Sequence, residues 1–193
     1  MIHTLCGNVS GRGERHFTLL CGPVGVTVFT NTRTVGALPK EGAVRVFTFL
    51  YVRDEQLELY GFLDEESLKL FSLLNSVSGV GPKTALGILD MDTVPNIIAA
   101  IIEKRAELLT RTSGIGKKTA ERIILELQSK VQVAHAQALT KVMDLDREVE
   151  EALVGLGYPR GEVKTALSRI GGEAQTLEER LRLGLKSLGR TGK

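Results

Sequence analysis

Glycine, lysine and the start of a helix come together twice in this chain, and that combination can hold an anion. Gly79-Val80-Gly81-Pro82-Lys83-Thr84-Ala85 returns 35 positions later as Gly114-Ile115-Gly116-Lys117-Lys118-Thr119-Ala120, identical at five of seven places. Each copy follows an apolar run and a serine, Ser78 or Ser113. Glycine lets a backbone turn tightly and come close to a ligand, because no Cβ stands in the way. The helix that follows presents N–H groups without intrahelical partners and the positive end of its dipole. The candidate anion-binding residues are therefore Gly79, Val80, Gly81, Lys83 and Thr84 in the first copy. In the second they are Gly114, Ile115, Gly116, Lys117 and Lys118, with Arg122 one helical turn beyond Lys118. An anion site built twice suits a ligand with regularly spaced anions, and nucleic acid is such a ligand.

The same residues exclude other chemistries. A Walker P-loop needs a glycine five places before Gly116, where Arg111 stands, and Ser or Thr after Lys117, where Lys118 stands. A dinucleotide fingerprint needs a third glycine at 84 or 119, and both are threonine. No aspartate occurs between Asp92 and Asp144, where a glycosylase would need one downstream of the second copy. His3, His16 and His135 are far apart in sequence, without metal-ligand spacing. No Gly-x-Ser-x-Gly nucleophile motif is present. The residues predict a binding protein with no catalytic group, metal or cofactor.

The charge balance agrees. The net charge is only +2, and residues 1–62 carry six Lys/Arg against five Asp/Glu, 63–138 nine against nine, and 139–193 ten against nine. Yet 111–122 holds Arg111, Lys117, Lys118 and Arg122 against Glu121 alone. Positive charge concentrated beside the second copy predicts that it holds phosphate more strongly than the first. No apolar run approaches the roughly 20 residues of a membrane span. No signal peptide is legible at the N-terminus. Cys6 and Cys21 lie in strand-like runs and read as buried reduced thiols, which favours a cytoplasmic location.

The elements that must position the repeated segments follow from hydrophobic periodicity. Runs at 2–9, 15–20, 24–30, 43–50 and 57–60 alternate with turn clusters and read as five strands of a small OB-type barrel over 1–62. The period then becomes helical over 63–138, with Leu68, Phe71 and Leu74 on one face and Thr93-Val94-Pro95 opening a further helix. Ala120, Ile123, Ile124, Leu127 and Val131 form one stripe after the second copy. Residues 131–146 lack Pro and Gly, so a continued helix and a linker, set at 139–146, both stand open. The last stretch, 147–193, reads as a small three-helix bundle with helices at 147–155, 160–170 and 175–188. Asp54 and Glu55 fall between the fourth and fifth strands, where a solvated tip is the ordinary reading. Leu153-Val154-Gly155-Leu156-Gly157-Tyr158 reads either as bundle core or as a docking surface.

The doubled segment resembles the helix–hairpin–helix motif of DNA repair and recombination proteins. In that motif hairpin amides hold consecutive backbone phosphates across the minor groove without reading bases. With the barrel before it and the bundle after it, the whole chain resembles the RuvA family of Holliday-junction-binding subunits. Tyr60-Gly61-Phe62, Lys117-Lys118-Thr119-Ala120-Glu121-Arg122 and Leu156-Gly157-Tyr158 carry the likeness. The resemblance implies an α+β multidomain fold whose terminal bundle is UBA-like, and a non-catalytic subunit that binds four-way DNA junctions in recombination and repair. It also implies a homotetramer, alone or paired with a second on one junction, with Asp54 and Glu55 as an acidic pin at the crossover. Its partners would be a RuvB-type hexameric ATPase docked through Leu153, Leu156 and Tyr158, and a RuvC-type resolvase. The alternative is a general duplex-binding accessory protein of DNA repair.

Overall fold

The computed structural model describes the backbone of residues 2–53, 56–170, 174 and 176–189, and their side chains apart from those of 56 and 134–141. The chain divides into two compact units, Met1–Val131 and Gln132–Lys193.

The first unit opens with β1 (Thr4–Arg12), β2 (His16–Cys21) and β3 (Val24–Phe29), then a short helix α1 (Thr32–Ala37), β4 (Ala43–Arg53) and β5 (Gln56–Phe62). The strands close into a barrel in the order β1-β2-β3-β5-β4. All neighbours are antiparallel except β3 and β5, which run parallel and meet at Phe29 and Tyr60. Strand periodicity of two decides what enters the barrel. In β1 it turns Leu5, Gly7 and Val9 inward and leaves Cys6 exposed, so the expected burial of that thiol does not hold. The barrel core is Phe17, Leu19, Val28, Leu38, Val46 and Leu59.

Strands β4 and β5 are apolar on both faces, and the outer face receives the helices. Helix α2 (Glu65–Asn75) lays Phe71 into this seam, with ring centroids 5.1 Å from Tyr60, 5.2 Å from Phe62 and 5.6 Å from Phe49. Such aromatic contacts add to the area they bury. Gly61 lies between Tyr60 and Phe62 because a Cβ there would stand 2.5 Å from Val28 and 2.6 Å from Val46. The outer face of β4 and β5 and the helices therefore share a second core, which continues through α3 (Pro82–Met91), α4 (Val94–Ile102) and α5 (Ala106–Leu109) to Val131.

Helix α6 (Lys117–Gly155) runs for 39 residues. The expected linker at 139–146 and the separate helix at 147–155 both lie inside it. With no Pro or Gly between Lys117 and Gly155, and with many good helix formers, nothing in this stretch breaks the backbone ladder. The second unit packs Val149 and Leu153 of α6 against α7 (Arg160–Leu167) and α8 (Leu177–Leu188). Its buried charge is paired: Arg180, 1% exposed, reaches Asp146 through two guanidinium nitrogens at 2.6 and 2.8 Å and donates to the Ala174 carbonyl at 2.9 Å. No single helix among the described residues is long and apolar enough to cross a membrane.

Candidate nucleic-acid interface

Both repeated segments fold into the same turn. In the first, Val77 N–H donates to Leu74 C=O at 3.1 Å, Val80 N–H to Val77 C=O at 3.0 Å and Ala85 N–H to Gly81 C=O at 2.9 Å. In the second, Thr112 donates to Leu109 at 3.1 Å, Ile115 to Thr112 at 3.1 Å and Ala120 to Gly116 at 3.0 Å. Gly79 and Gly114 share a φ of +86°, in the left-handed region that a Cβ disfavours. Val80 and Ile115, each 5% exposed, plug the apex into the core and leave the flanking glycines at the surface. Their own amides are spent on the turn, and their side chains anchor it.

The amides that follow are not used in the turn. Helix α3 starts at Pro82 with Gly81 as N-cap and no side-chain cap, so Lys83 and Thr84 keep N–H groups without an intrahelical acceptor. Helix α6 starts at Lys117, and there Lys117, Lys118 and Thr119 all stand before the first intrahelical bond, made by Ala120. Proline at the first helical position thus removes one donor from the first hairpin. Lys83, Lys117 and Lys118 are exposed beside these amides, and Thr84 is half-buried. Thr119 was not among the sequence candidates, although its place before Ala120 marks it as a donor.

Arg122 sits elsewhere than its position in the sequence suggests. Its Nη1 donates to the Ser78 carbonyl at 3.2 Å and lies 4.0 Å from where a Cβ on Gly79 would stand. The guanidinium therefore lies beside the first hairpin. Gly87, the equivalent position one repeat earlier, faces the second hairpin in the same way: a Cβ there would meet Thr112 Cγ2 at 2.9 Å. Each hairpin is backed by the helix of the other, and only one of those helices supplies a cation. The expectation that Arg122 strengthens the second hairpin is corrected. The first has two helix amides, Lys83 and Arg122; the second has three helix amides, Lys117 and Lys118.

Asp54 and Glu55 lie outside the described residues; β4 and β5 end beside them, with Arg53 paired to Gln56. Exposed Val52 and Leu57 face each other one pair back. In the second unit Gly157, at φ +98°, closes helix α6. Its N–H donates to Val154 C=O at 2.9 Å and that of Tyr158 to Leu153 C=O at 3.2 Å, the two bonds of a Schellman cap. This cap leaves Leu156 66% exposed and Tyr158 half-buried. Leu153 is fully buried against α7 and α8, so its expected place on a docking surface is corrected: it holds the bundle together. Among the described residues no three His, Cys, Asp or Glu side chains are grouped as a metal site.

Known proteins with this arrangement can be set beside it. Residues 1–61 match the RuvA N terminal domain, 71–129 the SAM-like helix-hairpin-helix tandem, and 144–189 the RuvA C-terminal domain. The chain is 39% identical over 193 residues to the Holliday junction branch migration complex subunit RuvA of Chloroflexus aurantiacus, covering 98% of this chain and 99% of that protein. It is 38% identical over 189 residues to the protein of that name in Caldanaerobacter subterraneus, covering 97% and 99%. For the Chlorobaculum tepidum protein of the same name the identity is 41% over 154 residues, covering 76% and 77%. By the order of these domain matches and by these identities over nearly its whole length, the chain belongs to the RuvA family.

Proposed function

We propose that this chain binds four-way Holliday junctions without sequence preference, holds them open, and acts as the non-catalytic DNA-binding subunit of a branch-migration complex in recombination and DNA repair. One observation carries the reading: two hairpins with the same glycine φ and the same turn hydrogen bonds present unpaired helix amides and lysines, with their apical side chains turned into the core. Such a surface suits phosphates, whose contacts position a protein on DNA without carrying sequence information. Gly79, Gly81, Lys83 and Thr84, with Gly114, Gly116, Lys117 and Lys118, are the residues assigned to this grip. Arg122 supports the first hairpin.

A duplex grip alone does not select a junction. We assign that selection to a homotetramer that repeats the hairpins around four arms, with Asp54 and Glu55 as an acidic pin at its centre. Carboxylates close to phosphates repel them, and partial exclusion of water strengthens that repulsion. The relatives' name, a branch migration complex subunit, supports a RuvB-type ATPase as motor, docked on the bundle of 147–193 through Leu156 and Tyr158. A RuvC-type resolvase is assigned as a further partner, and the cytoplasm as the site of action.

Gel-shift titrations of the purified chain against a four-way junction and a duplex of equal length test the proposal. The expected result is a marked preference for the junction, with a log–log salt slope of about 0.9 per phosphate neutralised. Equal affinities would instead favour a general duplex-binding accessory protein.

A further inference from the structure

Helix α3 begins at the first hairpin and ends against the barrel, and its last turn is held there by a polar clamp. Asp90 Oδ1 accepts from the Thr32 amide and the Thr32 hydroxyl, both at 2.7 Å. Asp90 Oδ2 is 3.0 Å from Nη2 of Arg15, the residue before β2. The neighbouring carbonyl of Leu89 accepts from Asn31 Nδ2 at 3.2 Å. Asn31 is 4% exposed, and its Oδ1 caps α1 by accepting from Thr34 N–H at 3.0 Å. One turn of α3 is thus bonded to one turn of the barrel by neutral and charge-assisted bonds together. None of these groups is on a hairpin.

We propose that Asp90 is a positioning residue that fixes the angle between the first hairpin and the barrel, and with it the shape in which a junction is held. The ten residues of α3 make a rod of about 15 Å. Packing of α3 against α2 and the aromatic seam holds the rod along its length by apolar contact, which is non-directional. The bonds at Asp90 are directional and act at the end farthest from the hairpin, so they remove the remaining freedom to pivot. The clamp adds no apolar side chain to the core, and Arg15 lies at the rim with its side chain 47% exposed. Its loss should therefore change geometry more than stability. The proposal rests on the junction reading, because only a ligand with several arms can sense this angle.

The test uses the full chain as wild type, Asp90→Ala, Asp90→Asn and Arg15→Ala. Affinities are measured for a junction and a duplex, with energy transfer between dyes on adjacent junction arms in the saturated complex. For Asp90→Ala the expected outcome is duplex affinity within about two-fold of wild type and junction affinity lowered about ten-fold. Arm-to-arm transfer should move toward the value of the free junction. Arg15→Ala, which removes only the ion pair, and Asp90→Asn, which also weakens the bonds to Thr32, should shift transfer in the same direction by less, and they decide the matter if Asp90→Ala fails to fold. Equal loss on junction and duplex, or unchanged transfer in folded variants, would overturn the role of Asp90. A wild-type chain without junction preference would overturn the junction reading itself.

Discussion

Val80 and Ile115 look interchangeable with any apolar turn residue in the sequence, yet they decide what each hairpin can offer. By burying the apex they free the next amides, and the lysines beside those amides supply charge without fixed direction. Lys117→Glu with Lys118→Glu should weaken junction binding for every arm sequence alike, and by at least ten-fold near physiological salt. Titrating junctions of unrelated sequence checks this; a loss that depends on sequence would contradict a backbone-only grip. The glycines and lysines of the grip were legible because their chemistry is local. The partners of Arg122 and Asp90 were not: the bonds to Ser78 and Thr32 span 44 and 58 positions, and no local pattern encodes such a distance.

At the scale of elements, the five strands and the paired helices could be read from periodicity, because alternation and helical stripes record which face is buried. Helix α1 escaped that reading: six residues with one buried side chain, Thr34, leave almost no stripe. The continuity of α6 was left open because absence of breakers permits a helix without demanding one. The seam between β5 and α2 carries a pH dependence of its own. Burial raises the Tyr60 phenol above its ordinary value of 10.0, and its hydrogen bond to Glu58 at 2.6 Å, with the charge of that carboxylate, pushes it further in the same direction. Below about pH 9 the phenol is protonated in both folded and unfolded chains and contributes no slope. Above it the unfolded chain releases the proton first, so stability falls as pH rises. Tyr60→Phe should flatten that decline between about pH 9 and 11, measured as denaturant midpoints against pH.

For the whole molecule, the two compact units differ in the chemistry they expose: amides and lysines on one, a leucine at a helix end on the other. In a branch-migration assay with a RuvB-type ATPase, Leu156→Asp should leave junction binding unchanged and abolish motor-driven migration. Leu153→Ala should instead loosen the terminal bundle by about 2–5 kcal/mol, as for other buried leucines, and show as a lowered melting transition. The inward apical side chains have one more consequence. A hairpin whose surface is serine, glycine and lysine, with its large apolar side chain turned inward, would meet every nucleotide step with much the same bonds, so the interaction energy would have no deep minimum along the duplex. DNA drawn past such a surface encounters little friction, and a motor's work goes into exchanging strands rather than into tearing the holder off each site it passes.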